Sequence, residues 1–109
     1  MKHFTFDICR ILFIYIAVKK LINQGYSLFL TLDIAKMYAK ILQLDKEVFE
    51  FYREYNYLVR EVHIHDYNEQ FGSHQMVGTG MVDFELFKEF IQKDDVYNNF
   101  EIDHLRQRL

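Results

Sequence analysis

The sequence predicts an α/β chain in which strands alternate with helices. Three observations point there. Apolar residues recur at helical spacing in three separate stretches. Between those stretches lie two short runs of strand character, Ser27 to Ile34 and Val59 to Asp66. Proline is absent, which is unusual for an all-β protein built from tight turns. Strands that alternate with helices build parallel sheets through crossover connections.

The elements follow in order. Ile8, Ile11, Leu12, Tyr15, Val18 and Ile22 predict a helix over 8–23, and Gly25 stands where a left-handed cap ends it. "SLFLTLDI", Ser27 to Ile34, is apolar on both faces, as a strand covered on both sides should be. Phe29, Thr31 and Asp33 share one face; Leu28, Leu30 and Leu32 share the other. A helical region runs from Ala35 to Tyr57. Asp45 is an N-cap for its second half, with Val48, Phe51, Tyr52 and Tyr55 as the apolar stripe. "VREVHIHD" is the next strand, with Val62 and Ile64 opposed to Glu61, His63 and His65. Residues 67–82 read as a loop with Gly72, Gly78 and Gly80, and "GTG" reads as a turn. Asp83 caps a helix with Phe84, Phe87 and Ile91 on one stripe. A short third strand near Phe100 to Ile102, then the start of a helix, is expected at the end.

Composition narrows the function. A chain of 109 residues is one small domain or a piece of a larger one. Half the residues are apolar and eleven are Phe, which argues against disorder. Net charge is −3 with the two signs mixed, so nucleic acid is not an expected partner. The single Cys9 has no internal disulfide partner and reads as a buried thiol in a reducing compartment. The apolar run Ile11 to Val18 falls far short of the roughly 20 residues that span a membrane. "KKLINQGY" after it offers no signal cleavage site. A soluble cytoplasmic chain without membrane contact is the expectation.

Parallel α/β architectures gather active sites at the carboxyl ends of their strands. Asp33 ends one strand; His63, His65 and Asp66 end the next; His74 lies in the loop beyond. Imidazoles and a carboxylate converging on one rim suit a divalent ion, which polarises an oxygen and acidifies bound water. Asp33 also stands where an N-cap for the following helix belongs, and Glu61 and Glu69 read as solvated carboxylates.

The stretch "VHIHDYNEQFGSHQMVGTGMVDFELFKEFI", with "LTLDI" before it, resembles the C-terminal part of the xylose isomerase-like TIM barrel superfamily. That group contains sugar phosphate isomerases and epimerases and the type IV apurinic endonucleases. The resemblance runs from about Tyr26 to Ile91. It rests on a strand ending His-x-His-Asp (His63 to Asp66), a loop histidine (His74), Gly78-x-Gly80, a hydrophobic residue (Val82), and Asp83-Phe84 opening a helix. It implies a partial (β/α) barrel of about three βα units, forming a single incomplete domain over residues 1–109. It implies a divalent metal (Mn, Zn, Mg or Co) held by Asp33 and His63, with Glu101 in "NFEI" as a third ligand. His74, His65 and Asp66 would contact substrate or a further metal. The substrate would be a sugar or sugar phosphate, with a proton moved between adjacent carbons.

The departures matter as well. Lys36 stands where family members often carry a histidine, and Gly72 stands where the endonuclease branch carries an aspartate. The full endonuclease ligand set is therefore missing, which favours the isomerase and epimerase branch. The catalytic glutamates of a barrel have no counterpart here, so the catalytic residues are unassigned. A chain with three of eight strands is expected to self-associate or to meet a complementary barrel fragment, and to be inactive alone. An endonuclease-like barrel fragment stays the alternative within the resemblance, and two other readings remain. His63-x-His65-x-x-x-Glu69 has the spacing of a cupin metal motif, and a non-catalytic remnant or interaction subunit would keep the fold without the chemistry.

Overall fold

A computed structural model describes residues 4–7, 14–43 and 46–101. From the amino end the chain forms strand β1 (Phe4–Asp7), helix α1 (Ile14–Asn23), strand β2 (Leu28–Asp33) and helix α2 (Ile34–Leu42). Helix α3 (Glu47–Glu54) and a 3-10 turn (Asn56–Leu58) lead into strand β3 (Val59–Ile64). A small antiparallel hairpin follows, β4 (Asp66–Asn68) and β5 (Gly72–Gln75). A second 3-10 turn (Phe84–Phe87) runs into helix α4 (Lys88–Ile91), and strand β6 (Tyr97–Phe100) comes last. Strands β1, β2, β3 and β6 form one sheet in that order, every neighbouring pair parallel.

This is the mixed α/β architecture that the alternating pattern predicts. It is not the antiparallel barrel of the cupin alternative. No helix among the described residues is long and apolar enough to cross a membrane.

Several boundaries differ from the sequence reading. Ile8, Cys9, Ile11, Leu12, Asp45 and Ile102 lie outside the described residues. Strand β1 is an element that the sequence reading lacks, so the sheet has four strands where two or three were expected. The helical region 35–57 divides into α2, α3 and a 3-10 turn. The third strand lies at 97–100, so Glu101 follows it directly. The loop 67–82 contains the β4–β5 hairpin. Other local readings hold. Gly25 has φ 88°, its N–H donates to Ile22 O, and the Tyr26 N–H donates to Leu21 O, the bond pair of a Schellman cap. Asp83 caps the second 3-10 turn by accepting the Glu85 N–H at 3.2 Å.

The sheet has two unlike faces. Leu28, Leu30 and Leu32 of β2 and Val59, Val62 and Ile64 of β3 are buried in one apolar cluster. Val18, Met37, Val48, Phe51, Tyr52, Phe87 and Phe90 supply the helical side of that cluster. Tyr52 also reaches the sheet with its hydroxyl, which donates to Thr31 O at 2.5 Å. The opposite face carries Phe29, Thr31, Asp33, Glu61, His63 and Asn99.

Register across β2 and β3 is set by an irregularity. Leu30 is opposite Val59, but Thr31 is opposite Glu61, so Arg60 is an extra residue on β3. Without that residue Asp33 would face apolar Val62. With it, Asp33 faces His63, because a shift of one residue exchanges the two faces of a strand. The Arg60 guanidinium lies 5.0 Å from the Phe29 ring centroid and pairs with Asp95. Lys93 donates to Val59 O at 2.7 Å nearby. Burial, then the like charge of Arg60, pulls the Lys93 pKa below its ordinary value. These cations therefore gather at the amino end of β3, away from the histidines.

The segment after β5 is built around Asp66. This fully buried carboxylate accepts the backbone N–H groups of Tyr67 (2.8 Å), Gly78, Gly80 and Val82 (3.0 Å each). The "GTG" turn is thus wrapped onto a side chain. A Cβ at position 80 would lie 2.2 Å from Tyr67 O and 2.5 Å from Asp66 Oδ1. Gly80→Ala is predicted to cost about 1–3 kcal/mol by forcing backbone and carboxylate apart, read as a lowered urea midpoint. An unchanged midpoint would show that the loop is not held this closely.

Candidate metal centre

The parallel register delivers three strand ends to one place. Asp33 ends β2 and sits opposite His63 of β3; His63 sits opposite Asn99 of β6. The Glu101 N–H donates to Ile64 O at 3.2 Å, which extends the ladder one residue past β6. Glu101 therefore falls on the face of Asn99 and His63. Among the described residues, two groupings bring ligand atoms within 4.8 Å of one another: Asp33, His63 and Glu101, and His65, His74 and Glu101.

Asp33 is 1 % exposed and its two oxygens are used differently. Oδ1 accepts the Lys36 N–H at 3.1 Å, capping α2, and meets His65 Nε2 at 2.7 Å. Oδ2 is buried with no hydrogen-bond partner. His63 Nδ1 lies 3.9 Å from it and the Lys36 ammonium 3.7 Å. Asp33 is thus both the helix cap and a candidate ligand, one role per oxygen. Burial by itself would raise the Asp33 carboxyl. The hydrogen bond from His65, followed by the N–H and charge of Lys36, outweighs burial and holds it below the ordinary aspartate value.

His65 is fully buried, and both ring nitrogens are engaged. The His74 N–H donates to Nδ1 at 2.8 Å, so Nδ1 must carry a lone pair. The ring proton is then on Nε2 and is donated to Asp33 Oδ1. No lone pair remains for a metal, which removes His65 as a ligand. It orients Asp33 instead, as carboxylate–imidazole pairs around metals do. Asp66 is likewise not the substrate contact or additional ligand that the sequence suggested. Four backbone N–H groups occupy it, and it lies outside both groupings. Glu69, the last residue of the cupin-like spacing, is exposed in the hairpin turn.

His74 stands beside the cluster, its side chain 44 % exposed. Its ring stacks on His65 with centroids 4.5 Å apart. Its backbone has φ 66°, a left-handed conformation that histidine tolerates better than most residues. Nδ1 is 3.2 Å from the Glu101 carbonyl oxygen, which can only accept, so Nδ1 carries the proton and Nε2 the lone pair.

Asp33, His63 and Glu101 could hold a divalent ion, with their ligand atoms within 4.8 Å of one another. His63 Nδ1 is 3.1 Å from Glu101 Oε1. That matches the edge of a coordination polyhedron with bonds of about 2.1 Å, roughly 3.0–3.4 Å, whereas the 3.9 Å from Nδ1 to Asp33 Oδ2 is longer and would have to close on an ion. The buried Oδ2 is the strongest mark: it has no hydrogen bond, and a buried carboxylate oxygen in that state is costly unless a cation meets it, as the Lys36 ammonium does at 3.7 Å and a metal ion would do more closely. Two oxygens and one imidazole nitrogen suit manganese, zinc, iron or cobalt. The sequence reading missed the support. Glu61 Oε1 lies 3.3 Å from His63 Nε2, on the same strand face two residues earlier, a spacing already visible in "EVH".

Comparison with protein-family models, with curated proteins and with solved structures gives no match for this chain. Its chemistry therefore rests on the geometry above.

The lowered pKa of Asp33 makes a pH prediction. A carboxylate depressed by folding contributes stability that is fully present above its unfolded value, about 3.9, and is lost as pH falls through the folded value. Asp33→Asn should therefore flatten the fall of the urea midpoint below about pH 4. An acid limb of unchanged steepness would mean that the His65 and Lys36 contacts do not hold the charge.

Proposed function

We propose that the chain is an arc of a divalent-metal-dependent sugar or sugar phosphate isomerase or epimerase barrel, with Asp33, His63 and Glu101 as the metal ligands. The observation that carries it is the grouping of Asp33, His63 and Glu101 at the carboxyl ends of parallel strands, with Asp33 Oδ2 buried and without a hydrogen bond. The sheet supports the barrel part of the reading. Its four strands run in chain order, helices feed the apolar cluster of one face, and the other face bears the polar row. An arc of a (β/α) barrel has this arrangement, with helices outside and ligands at the carboxyl rim.

Bound there, a divalent ion would supply a Lewis acid for two adjacent oxygens of a hydroxycarbonyl sugar. His65 keeps Asp33 turned toward the cleft, and Lys36 adds positive charge beside it. His74, with its Nε2 lone pair, is available to a substrate hydroxyl. The carboxylates that move the proton between carbons would come from the remaining strands, since four are half of the usual eight. A second copy or a complementary barrel fragment would supply those strands, and the chain alone turns nothing over.

A second reading has an observation of its own. The Lys36 ammonium, 3.7 Å from Asp33 Oδ2, can balance that carboxylate with no ion present, as in a non-catalytic remnant or interaction subunit. Elemental analysis of a monodisperse fraction, purified with manganese and zinc, separates the two. Near-stoichiometric metal in the wild type and its loss in His63→Ala is the expected result. Light scattering on the same sample should give a species larger than 13.3 kDa. A folded, metal-free wild type would move the balance to the remnant.

A further inference from the structure

We infer that Glu61 is a positioning residue for the metal: its carboxylate, 3.3 Å from His63 Nε2, favours the ring proton on that nitrogen and leaves Nδ1 as the ligand atom. The inference rests on the metal-centre reading above. An imidazole has two nitrogens, and in its neutral form only one has a lone pair. Which one is free is decided by what the other one meets.

Here the two sides of the His63 ring meet different partners. Nε2 faces Glu61 Oε1 at 3.3 Å. Nδ1 faces the other two ligand residues, Glu101 Oε1 at 3.1 Å and Asp33 Oδ2 at 3.9 Å. With an ion among the ligands Nδ1 must supply its lone pair, and the ring proton then lies on Nε2, on the side of the Glu61 carboxylate. The opposite tautomer would remove His63 Nδ1 from the ion. Glu61 therefore selects the binding tautomer, and its negative charge makes Nδ1 a stronger donor.

The backbone explains why Glu61 can do this. Residues 61 and 63 share one strand face, and the extra residue at Arg60 turns that face toward Asp33 rather than toward the helices. Glu61 is opposite Thr31, just as His63 is opposite Asp33. Its side chain is 35 % exposed, at the edge of the cleft. His65 holds Asp33 from behind in the same manner.

The test uses zinc, which is diamagnetic, and the wild-type chain. Two-bond nitrogen–proton spectra of the zinc-loaded protein should show His63 coordinated through Nδ1 with its proton on Nε2. Calorimetric titration should then show Glu61→Gln binding zinc about 10–100-fold more weakly, with circular dichroism unchanged. Glu69→Gln, an equal loss of charge at an exposed position, should bind as the wild type does. Coordination through Nε2, or equal affinity in wild type and Glu61→Gln, would overturn the inference while leaving the metal centre standing. A folded wild type that takes no zinc would overturn both together.

Discussion

Asp33 sits where β2 becomes α2, and its two oxygens face in different directions. Oδ1 is held by the Lys36 N–H and by His65; Oδ2 is buried without a hydrogen bond, 3.7 Å from the Lys36 ammonium and 3.9 Å from His63 Nδ1. The rest of the rim depends on that division. If Oδ1 were free to rotate away from His65, Oδ2 would not stay aimed at the other ligands. Because His65 Nδ1 also accepts the His74 N–H, the hairpin that carries His74 is tied to the same carboxylate. The helix cap, the imidazole and the hairpin form one hydrogen-bonded unit, and the candidate ligands are its outward side.

A second carboxylate does the structural work nearby. Asp66 accepts four backbone N–H groups and folds the glycine segment onto the end of β4. Two acidic residues on one rim thus have opposite tasks. Backbone donors fully satisfy Asp66, so it is part of the scaffold. Asp33 is hydrogen-bonded on one oxygen only, and the other lies 3.7 Å from the Lys36 ammonium in a group of residues that could hold a metal ion. The distinction lies in the donors each one meets, since both are buried to the same extent.

Much of this rim was legible in the sequence because strand geometry is periodic. Side-chain alternation alone separates Asp33 from the leucines of β2 and His63 from Val62 and Ile64. Gly25 and Asp83 announce their caps through local backbone chemistry. What was not legible is non-local. Strand β1 is four residues that pair with β2, a contact local pattern does not announce. The β4–β5 hairpin is polar, short and dependent on left-handed backbone at Gly72 and His74, which no alternation reveals. The extra residue at Arg60 exists only relative to β2, yet it decides that Asp33 meets His63. Glu101 could be suggested from resemblance, but its place follows from the β3–β6 register. Asp66 and His65 looked like ligands because residue type does not show which lone pairs are already in use.

The central claim is that a divalent ion binds between Asp33 Oδ2, His63 Nδ1 and Glu101 Oε1. Anomalous diffraction from crystals grown with manganese, with data collected near its absorption edge, tests it most directly. The account predicts one strong peak about 2.0–2.3 Å from all three atoms, with His65 still bonded to Asp33 Oδ1. A peak bound instead by His65 and His74, or none in crystals that diffract well, would contradict it.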